Sequence, residues 1–278
     1  MVADPRRAPL ARVAVIGVTG RMGQALLRAA PGFPQLIITG AVASTASLAL
    51  GRDAGALAGL APTNLTVTSD LKRALADADV AIDFSHAAVT GTNVAACRAA
   101  RKPLLIGTTG IDAALEPAIT AAAGEIALLV APNTSIAVAL LTELVRQSAH
   151  ALPASFDIDV LELHHRMKRD APSGTALTLA RAAAAGRGLP PPSGVTRDRE
   201  DADQGRPDGQ IGVSSVRAGD IVGEHTVLFS GPGEQLALTH RASDREIFAR
   251  GALTAALWLM SRPPGRYGMR DFIAYTSS

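Results

Sequence analysis

The chain has 278 residues and a formal net charge of +2, and 47% of its residues are hydrophobic but only 3% are aromatic. Its basic residues are scattered, which gives no support to nucleic-acid binding, and no apolar run is long enough to span a membrane. A single cysteine excludes an intrachain disulfide and a cysteine-rich zinc site. We therefore expect a cytoplasmic globular protein with an aliphatic core and room for two domains.

The first half of the chain alternates short aliphatic strands with helical patterns. The predicted strands are Arg12–Ile16, Gln35–Val42, Val80–Phe84, Pro103–Ile106 and Ile126–Val130. The predicted helices are 22–30, 71–76, 87–100 and 112–123. This alternation indicates crossover connections, so we expect an α/β fold with a doubly wound parallel sheet. Ligands of such folds bind at the carboxyl ends of the strands.

A glycine-rich turn follows the first strand directly. Its Gly-x-x-Gly-x-x-Gly spacing contains the candidate cofactor-binding residues Gly17, Val18, Thr19, Gly20, Arg21 and Met22. Glycines allow a tight turn and let the backbone approach a pyrophosphate at a helix N-terminus. Many glycine turns bind nothing, but the position after the first strand of an alternating fold favours a dinucleotide site.

The end of the second predicted strand bears on the choice of cofactor. An acidic residue there would bind the ribose hydroxyls of NAD, whereas an arginine would favour NADP. Residues 41–47 contain neither; Ser44 offers a hydroxyl, and Arg21 and Arg52 are candidate cations for a 2′-phosphate. We expect that either NADPH or NADH serves as cofactor.

After Asn133 the pattern changes, and the second half predicts a mixed or antiparallel sheet in a separate domain. The predicted helices here are 136–149, 175–186 and 244–260, and the predicted strands are 157–163, 212–217, 224–229 and 235–239. A charged segment rich in proline and glycine, 188–210, is predicted to be a surface excursion.

Residues 162–175 gather the side chains that move protons near neutral pH. His164, His165 and Lys168 supply imidazoles and an amine, and Ser173 precedes an apolar helical run as a candidate N-cap. The backbone N–H groups of such a helix start form an anion site. The simpler interpretation is an ordinary turn into a helix, but so many apt residues together favour an enzyme that acts on a small acidic molecule. Adjacent histidines point apart on a strand and no third ligand has suitable spacing, so we predict no metal.

The same segment closely resembles the signature of the dihydrodipicolinate reductase family. The resemblance continues, in the family's order, at 17–23, 107–110, 217–226, 239–243 and 269–271. It implies NAD(P)H-dependent reduction of dihydrodipicolinate, or of its hydrated precursor 4-hydroxy-tetrahydrodipicolinate, in lysine and diaminopimelate biosynthesis. It further implies a small dicarboxylate substrate and a homotetramer assembled through the sheet of the second domain.

The resemblance also assigns roles to residues. It makes His164 and Lys168 the catalytic residues for proton transfer. Substrate binding falls to His165, Ser173, Gly174 and Thr175. The nicotinamide ring would lie against two strand-end loops, which contain Gly107, Thr108, Thr109, Ala131, Pro132, Asn133 and Thr134. Thr134 departs from the aromatic residue that is usual in the family.

The resemblance predicts a discontinuous first domain, because the last helix returns to it. The predicted division is 1–134 with 242–278 for the dinucleotide-binding domain and 135–241 for the substrate-binding and oligomerisation domain. We expect Asp170 to orient Lys168 or to brace the loop rather than to react. For Glu162 a structural role is at least as well supported as a functional one, and for His225 and His240 a structural role is favoured.

Two alternatives remain open at this point. One is another NAD(P)-dependent reductase of a small acid or semialdehyde, although Cys97 lies in a helical apolar pattern without a neighbouring histidine, which disfavours an acyl-enzyme. The other is a non-catalytic nucleotide-sensing relative, which would not need the complete set of proton-transfer residues.

Overall fold

The structure is a computed structural model that describes residues 10–189 and 206–276. Contacts between Cα atoms divide the chain into two compact units, Met1–Ser135 with Glu246–Ser278, and Ile136–Arg245. Most of the predicted surface excursion, 190–205, lies outside the described residues. No helix of the described part is long and apolar enough to cross a membrane.

The first unit contains a six-stranded sheet in which every neighbouring pair of strands is parallel. In chain order the strands are β1 (Ala11–Ile16), β2 (Leu36–Val42), β3 (Val80–Asp83), β4 (Leu104–Ile106), β5 (Ala127–Val130) and β10 (Gly265–Tyr267). Their spatial order is β10-β5-β4-β3-β1-β2. This order confirms the predicted doubly wound parallel sheet.

Helices cover both faces of this sheet. The α-helices of the unit are α1 (Arg21–Ala29), α2 (Ala54–Leu57), α3 (Leu71–Ala76), α4 (Ala87–Ala99), α5 (Glu116–Ala123), α8 (Glu246–Leu259) and α9 (Met269–Thr276). The helices α3, α4 and α5 share one apolar core with the strands, while α8 packs against α1 and against β3, β4 and β5. Because both faces are covered, the central strands are runs of buried aliphatic residues rather than alternating ones.

The second unit contains a mixed four-stranded sheet, as predicted. Its strands are β6 (Asp157–His164), β7 (Ile211–Arg217), β8 (Gly223–Gly231) and β9 (Glu234–Ala242), in the order β7-β6-β8-β9. The pair β6 and β7 is parallel and the other two pairs are antiparallel. The helices α6 (Ile136–Ala151) and α7 (Gly174–Gly186) pack on one face through an aliphatic core.

The second boundary of the compact units differs from the predicted domain division. The prediction assigned Ala242 to the first domain, but this residue ends β9 and pairs with Gly223, so it belongs to the second sheet. The compact unit ends at Arg245 instead. The functional assignment of the two domains stays a prediction.

Candidate functional site

The glycine turn after β1 has the geometry of a phosphate-binding turn. Gly17 adopts a positive φ of 86°, and a Cβ atom there would lie 2.6 Å from the Phe84 carbonyl oxygen, so only glycine fits. Gly20 caps α1 without a side-chain hydrogen bond. The first N–H groups of α1 therefore lack a side-chain acceptor, which is the arrangement that binds anions at helix N-termini. Val18, Thr19, Arg21 and Met22 lie in this turn and in the first turn of α1, where the prediction placed them.

Ser44 lies in an exposed turn directly after β2. Its Oγ accepts a hydrogen bond from the Ala46 N–H at 3.3 Å. Accepting this bond leaves the hydroxyl hydrogen as a donor, which suits a phosphate or a ribose oxygen. Arg52, the candidate cation, is exposed in the segment that follows this turn.

The loop after β4 is tied to the end of β3. The hydroxyl of Thr108 is buried and contacts the backbone and carboxylate oxygens of Asp83 at 3.3 and 3.4 Å. A Cβ atom at Gly107 would overlap the ring of Phe84. Thr109 is exposed at the same strand end. The side chain of Thr108 therefore shapes the loop, and Thr109 is the residue that presents a hydroxyl outward.

The loop after β5 contains the other predicted nicotinamide contacts. Ala131 is buried and Pro132 is exposed, while Asn133 Oδ1 accepts the Ser135 N–H at 2.9 Å. The hydroxyl of Thr134 is buried and donates to the Phe248 carbonyl at 2.6 Å. Because the hydroxyl hydrogen of Thr134 is used in this bond to α8, a cofactor would contact Thr134 through its backbone.

The loop after β3 also lies at this edge of the sheet, and its residues were not among those predicted from the sequence. Because β3 lies beside β1, its end places Phe84 and Ser85 against the glycine turn. The exposed His86 follows and caps α4 by accepting the Ala88 N–H on Nδ1. The rule that ligands collect at strand carboxyl ends could have identified this loop, since Ser85 and His86 follow soon after β3.

In the second unit, the alternation of β6 directs Glu162 and His164 to the buried face. The carboxylate of Glu162 is fully buried and binds several groups at once. Arg217 donates to its two oxygens at 2.8 and 3.0 Å, and the Ser173 N–H donates at 3.2 Å. The His164 Nδ1 atom forms a further close hydrogen bond with it. One carboxylate thus joins three separate segments of the chain.

The surroundings of Glu162 set its charge and that of His164. Burial raises the pKa of Glu162, but hydrogen bonds from Arg217, Ser215 and His164 outweigh it and hold the pKa at about 2. Burial lowers the pKa of His164, and the positive charges of Lys168 and Arg217 lower it further, so this pKa lies below its usual value although Glu162 raises it. His164 is therefore neutral near pH 7, with its hydrogen on Nδ1 toward the carboxylate and a lone pair on Nε2.

The loop after β6 holds the predicted amine and second imidazole. Lys168 Nζ lies 2.8 Å from each carboxylate oxygen of Asp170, whose backbone carbonyl accepts from Arg217 at 2.5 Å. His165 is half-buried, and its Nε2 lies 3.0 Å from Nη2 of Arg245. Arg245 was not identified from the sequence, because it follows the second sheet by three residues and carries no local motif.

The helix start at Ser173 is built as predicted from the sequence pattern. Ser173 Oγ accepts the Ala176 N–H at 3.2 Å and so caps α7. Apart from the chain neighbours of Gly174 and the backbone of its own helix, no atom of the described residues lies within 4 Å of the place where a Cβ atom of Gly174 would stand. The described chain therefore leaves open space beside the start of α7.

His225 on β8 joins this cluster although sequence analysis favoured a structural role for it. It is buried, its Nε2 lies 3.1 Å from Ser173 Oγ, and its ring meets that of His164 edge-on at 5.1 Å. The signal in the sequence was the alternation of β8, which puts His225 on the same face as the core residues Val227 and Phe229. Arg217 was also missed, because its role depends on the pairing of β7 with β6.

One atom from each of Glu162, His164 and His225 lies within 4.8 Å of the others, which would suit a metal ion. The spacing of histidines in the sequence revealed no third metal ligand, but the fold brings three candidate ligands together. Both oxygens of Glu162 already receive hydrogen bonds from Arg217, however, so a metal ion would compete with a fixed cation. The absence of a metal stays a prediction.

The pKa of His225 makes stability depend on pH. Burial, together with the neighbouring His164, lowers the pKa of His225 from 6.5 to about 4. Below pH 6.5 the unfolded chain binds a proton that the folded chain does not. The free energy of unfolding should therefore fall between pH 6.5 and 4, by on the order of 3 kcal/mol from this group. Urea unfolding of the full chain at several pH values measures the loss, which should be smaller by that amount in His225→Gln; an equal loss in both proteins would contradict the assignment.

Comparisons with known proteins agree on one family. The sequence model described as dihydrodipicolinate reductase, N-terminus, matches residues 11–134, and the one described as dihydrodipicolinate reductase, C-terminus, matches residues 137–273. The chain is 44% identical to a 4-hydroxy-tetrahydrodipicolinate reductase of Anaeromyxobacter dehalogenans over 95% of this chain and 98% of that protein. It is 46% identical to the same enzyme of Alkalilimnicola ehrlichii over 94% of this chain and 98% of that protein.

A solved structure agrees with the sequence comparisons. Dihydrodipicolinate reductase from Paenisporosarcina sp. TG-14, with dipicolinate bound, has a TM-score of 0.73 and 25% identity over 94% of this chain and 99% of that chain. The predicted function is thereby confirmed as NAD(P)H-dependent reduction of 4-hydroxy-tetrahydrodipicolinate in lysine and diaminopimelate biosynthesis. With both halves of the sequence and the fold in agreement, the chain belongs to the dihydrodipicolinate reductase family.

Proposed function

We propose that the cluster around Glu162 performs the substrate chemistry of this reaction. The observation that carries the proposal is that one buried carboxylate holds both the His164 imidazole and the Ser173 N–H at the start of α7. A proton-transfer group and an anion-binding helix start are thereby fixed relative to each other, as catalysis by orientation requires.

4-Hydroxy-tetrahydrodipicolinate must lose its hydroxyl group and a ring hydrogen as water, and the resulting dihydrodipicolinate then needs a hydride on C4 and a proton on another ring atom. NADPH or NADH supplies the hydride when bound in the first unit, and the protein supplies orientation and the proton. Gly17 to Met22 would hold the pyrophosphate, Ser44 the adenosine ribose or its phosphate, and the loops with Gly107, Thr109 and residues 131–134 the nicotinamide ring.

Two side chains of the second unit take part in proton transfer, one as a proton donor and the other as a proton acceptor. Lys168 supplies the N–H donor, and Asp170 holds its ammonium group in the loop. His164 presents the lone pair of Nε2, because its Nδ1 hydrogen is directed to Glu162. When His164 accepts the proton that the ring loses together with its hydroxyl group, the negative charge of Glu162 stabilises the imidazolium.

The substrate carboxylates would occupy two anion sites. The first is the start of α7, where Ser173, Gly174 and Thr175 offer a hydroxyl and backbone N–H groups. The second is His165 with the adjacent guanidinium of Arg245, which is a charge-assisted donor. Dipicolinate, the ligand of the solved relative, carries two carboxylates, in agreement with a dicarboxylate substrate.

Lys168→Ala should lower kcat by at least about 100-fold, because it removes the positioned proton donor. The dissociation constant for NADPH should change by less than about twofold. Adding His164→Ala should not cost a further equal factor, because residues that act as a unit are not additive. The exposed Lys72→Ala is the matched control and should keep full activity. Turnover that persists in Lys168→Ala would show that the proton comes from elsewhere.

We also propose that the chain works in the cytoplasm and forms a homotetramer through the face of the second sheet that no described helix covers. The described helices of this unit pack on the opposite face, while Leu161 and Val216 are 39% and 45% exposed on this one. Burial of this face between copies would be favourable. The buried, unpaired Cys97 fits a reducing compartment.

Sedimentation tests the assembly. The mass from sedimentation equilibrium should be about four times the mass of the chain, because a tetramer buries this face. Val216→Asp should lower the mass, whereas Val89→Asp, which alters a similarly exposed valine on α4, should not. A monomeric wild-type protein would contradict the proposal.

A further inference from the structure

His225 is the one member of the buried cluster to which the reaction assigns no task. Its side chain is 4% exposed, and in the described chain its Nδ1 atom is buried without a hydrogen-bond partner. Its other nitrogen, Nε2, lies 3.1 Å from Ser173 Oγ. A histidine with this single polar contact can act on the site only through Ser173 or through its ring contact with His164.

The unpartnered nitrogen identifies the tautomer of the neutral imidazole. A buried N–H group without an acceptor is rarer in proteins than a buried acceptor without a donor. The missing partner of Nδ1 thus favours the tautomer with the hydrogen on Nε2, in which His225 donates to Ser173 Oγ. Nδ1 then carries only a lone pair.

This bond determines what the Ser173 hydroxyl can do. A hydroxyl oxygen accepts two hydrogen bonds and donates one. Ser173 Oγ accepts the Ala176 N–H at 3.2 Å and the His225 Nε2–H at 3.1 Å, so both of its lone pairs are occupied. Its own hydrogen is directed away from both donors and is available to an anion at the start of α7.

We propose that His225 is a positioning residue that makes Ser173 a hydrogen-bond donor to the substrate carboxylate and holds the start of α7 beside His164. The proposal rests on the proposed function, because the carboxylate in question is that of the dicarboxylate substrate. The edge-on contact between the His225 and His164 rings adds a second link between the anion site and the proton-transfer group.

Two conservative variants separate this role from simple packing. The amide nitrogen of glutamine reaches the place of Nε2, whereas that of asparagine reaches only the place of Nδ1. His225→Gln therefore keeps the donor to Ser173, and His225→Asn loses it. His240 is the matched control, since it pairs with His225 on the neighbouring strand and has no assigned role.

The probe is pyridine-2,6-dicarboxylate, titrated calorimetrically into the full-length protein, together with KM and kcat. His225→Asn should raise the dissociation constant and KM about tenfold, as expected for a lost hydrogen bond to a charged group, with a smaller change in kcat. His225→Gln and His240→Asn should stay within about threefold, and NADPH affinity should not change. Ser173→Ala should match His225→Asn, and combining the two should add less than about twofold, because both remove the same bond.

Three results would overturn the inference. The first is that His225→Asn binds pyridine-2,6-dicarboxylate as tightly as wild type does. The second is that His225→Asn and His225→Gln lose the same amount of affinity. The third is that the losses of affinity in His225→Asn and Ser173→Ala multiply in the double variant. If His225→Asn does not fold, a folded His225→Gln with a tenfold weaker affinity overturns it equally. Failure of the proposed function looks different, since the wild-type protein itself would then neither bind the probe nor turn over the substrate.

Discussion

The second unit depends on a buried carboxylate that is neutralised by a guanidinium. Removing Glu162 from water costs several kcal/mol, and the cost is offset only because Arg217 meets both oxygens and further N–H donors complete the shell. Such a pair contributes little net stability, but breaking it leaves an uncompensated charge, at a cost of about 3–5 kcal/mol. The arrangement is better understood as a means of fixing geometry than as a source of stability.

The Glu162 carboxylate fixes the positions of the side chains and the helix start to which the proposed function assigns proton transfer and substrate binding. Glu162 orients His164 through Nδ1, and Arg217, held by Glu162, also binds the carbonyl of Asp170, whose side chain holds Lys168. The same carboxylate receives the N–H of Ser173 at the helix start. The proposed proton-transfer groups and the proposed anion site therefore share one anchor, so a change at Glu162 should affect both together.

The sequence could predict much of this because the signals were local. Strand and helix positions, the glycine turn and the cap at Ser173 each follow from a few adjacent residues, and the doubly wound sheet follows from their alternation. The short strand β10 was missed because three residues carry no periodicity. The tasks of Arg217, His225 and Arg245 depend on strand pairing or on a distant loop, and no local pattern encodes that. The commitment of Thr134 to Phe248 has the same origin, since the two residues are far apart in the chain.

The most direct test of the central claim compares wild type with Glu162→Gln in one assay. NADPH and NADH oxidation are followed separately while the preceding synthase condenses pyruvate with aspartate semialdehyde. Wild type should oxidise a cofactor only when the synthase product forms, whereas Glu162→Gln should bind NADPH normally but turn over at least about 100-fold more slowly. Full activity in Glu162→Gln would contradict the role of the buried carboxylate. No oxidation by a wild-type protein that binds NADPH would contradict the reaction itself.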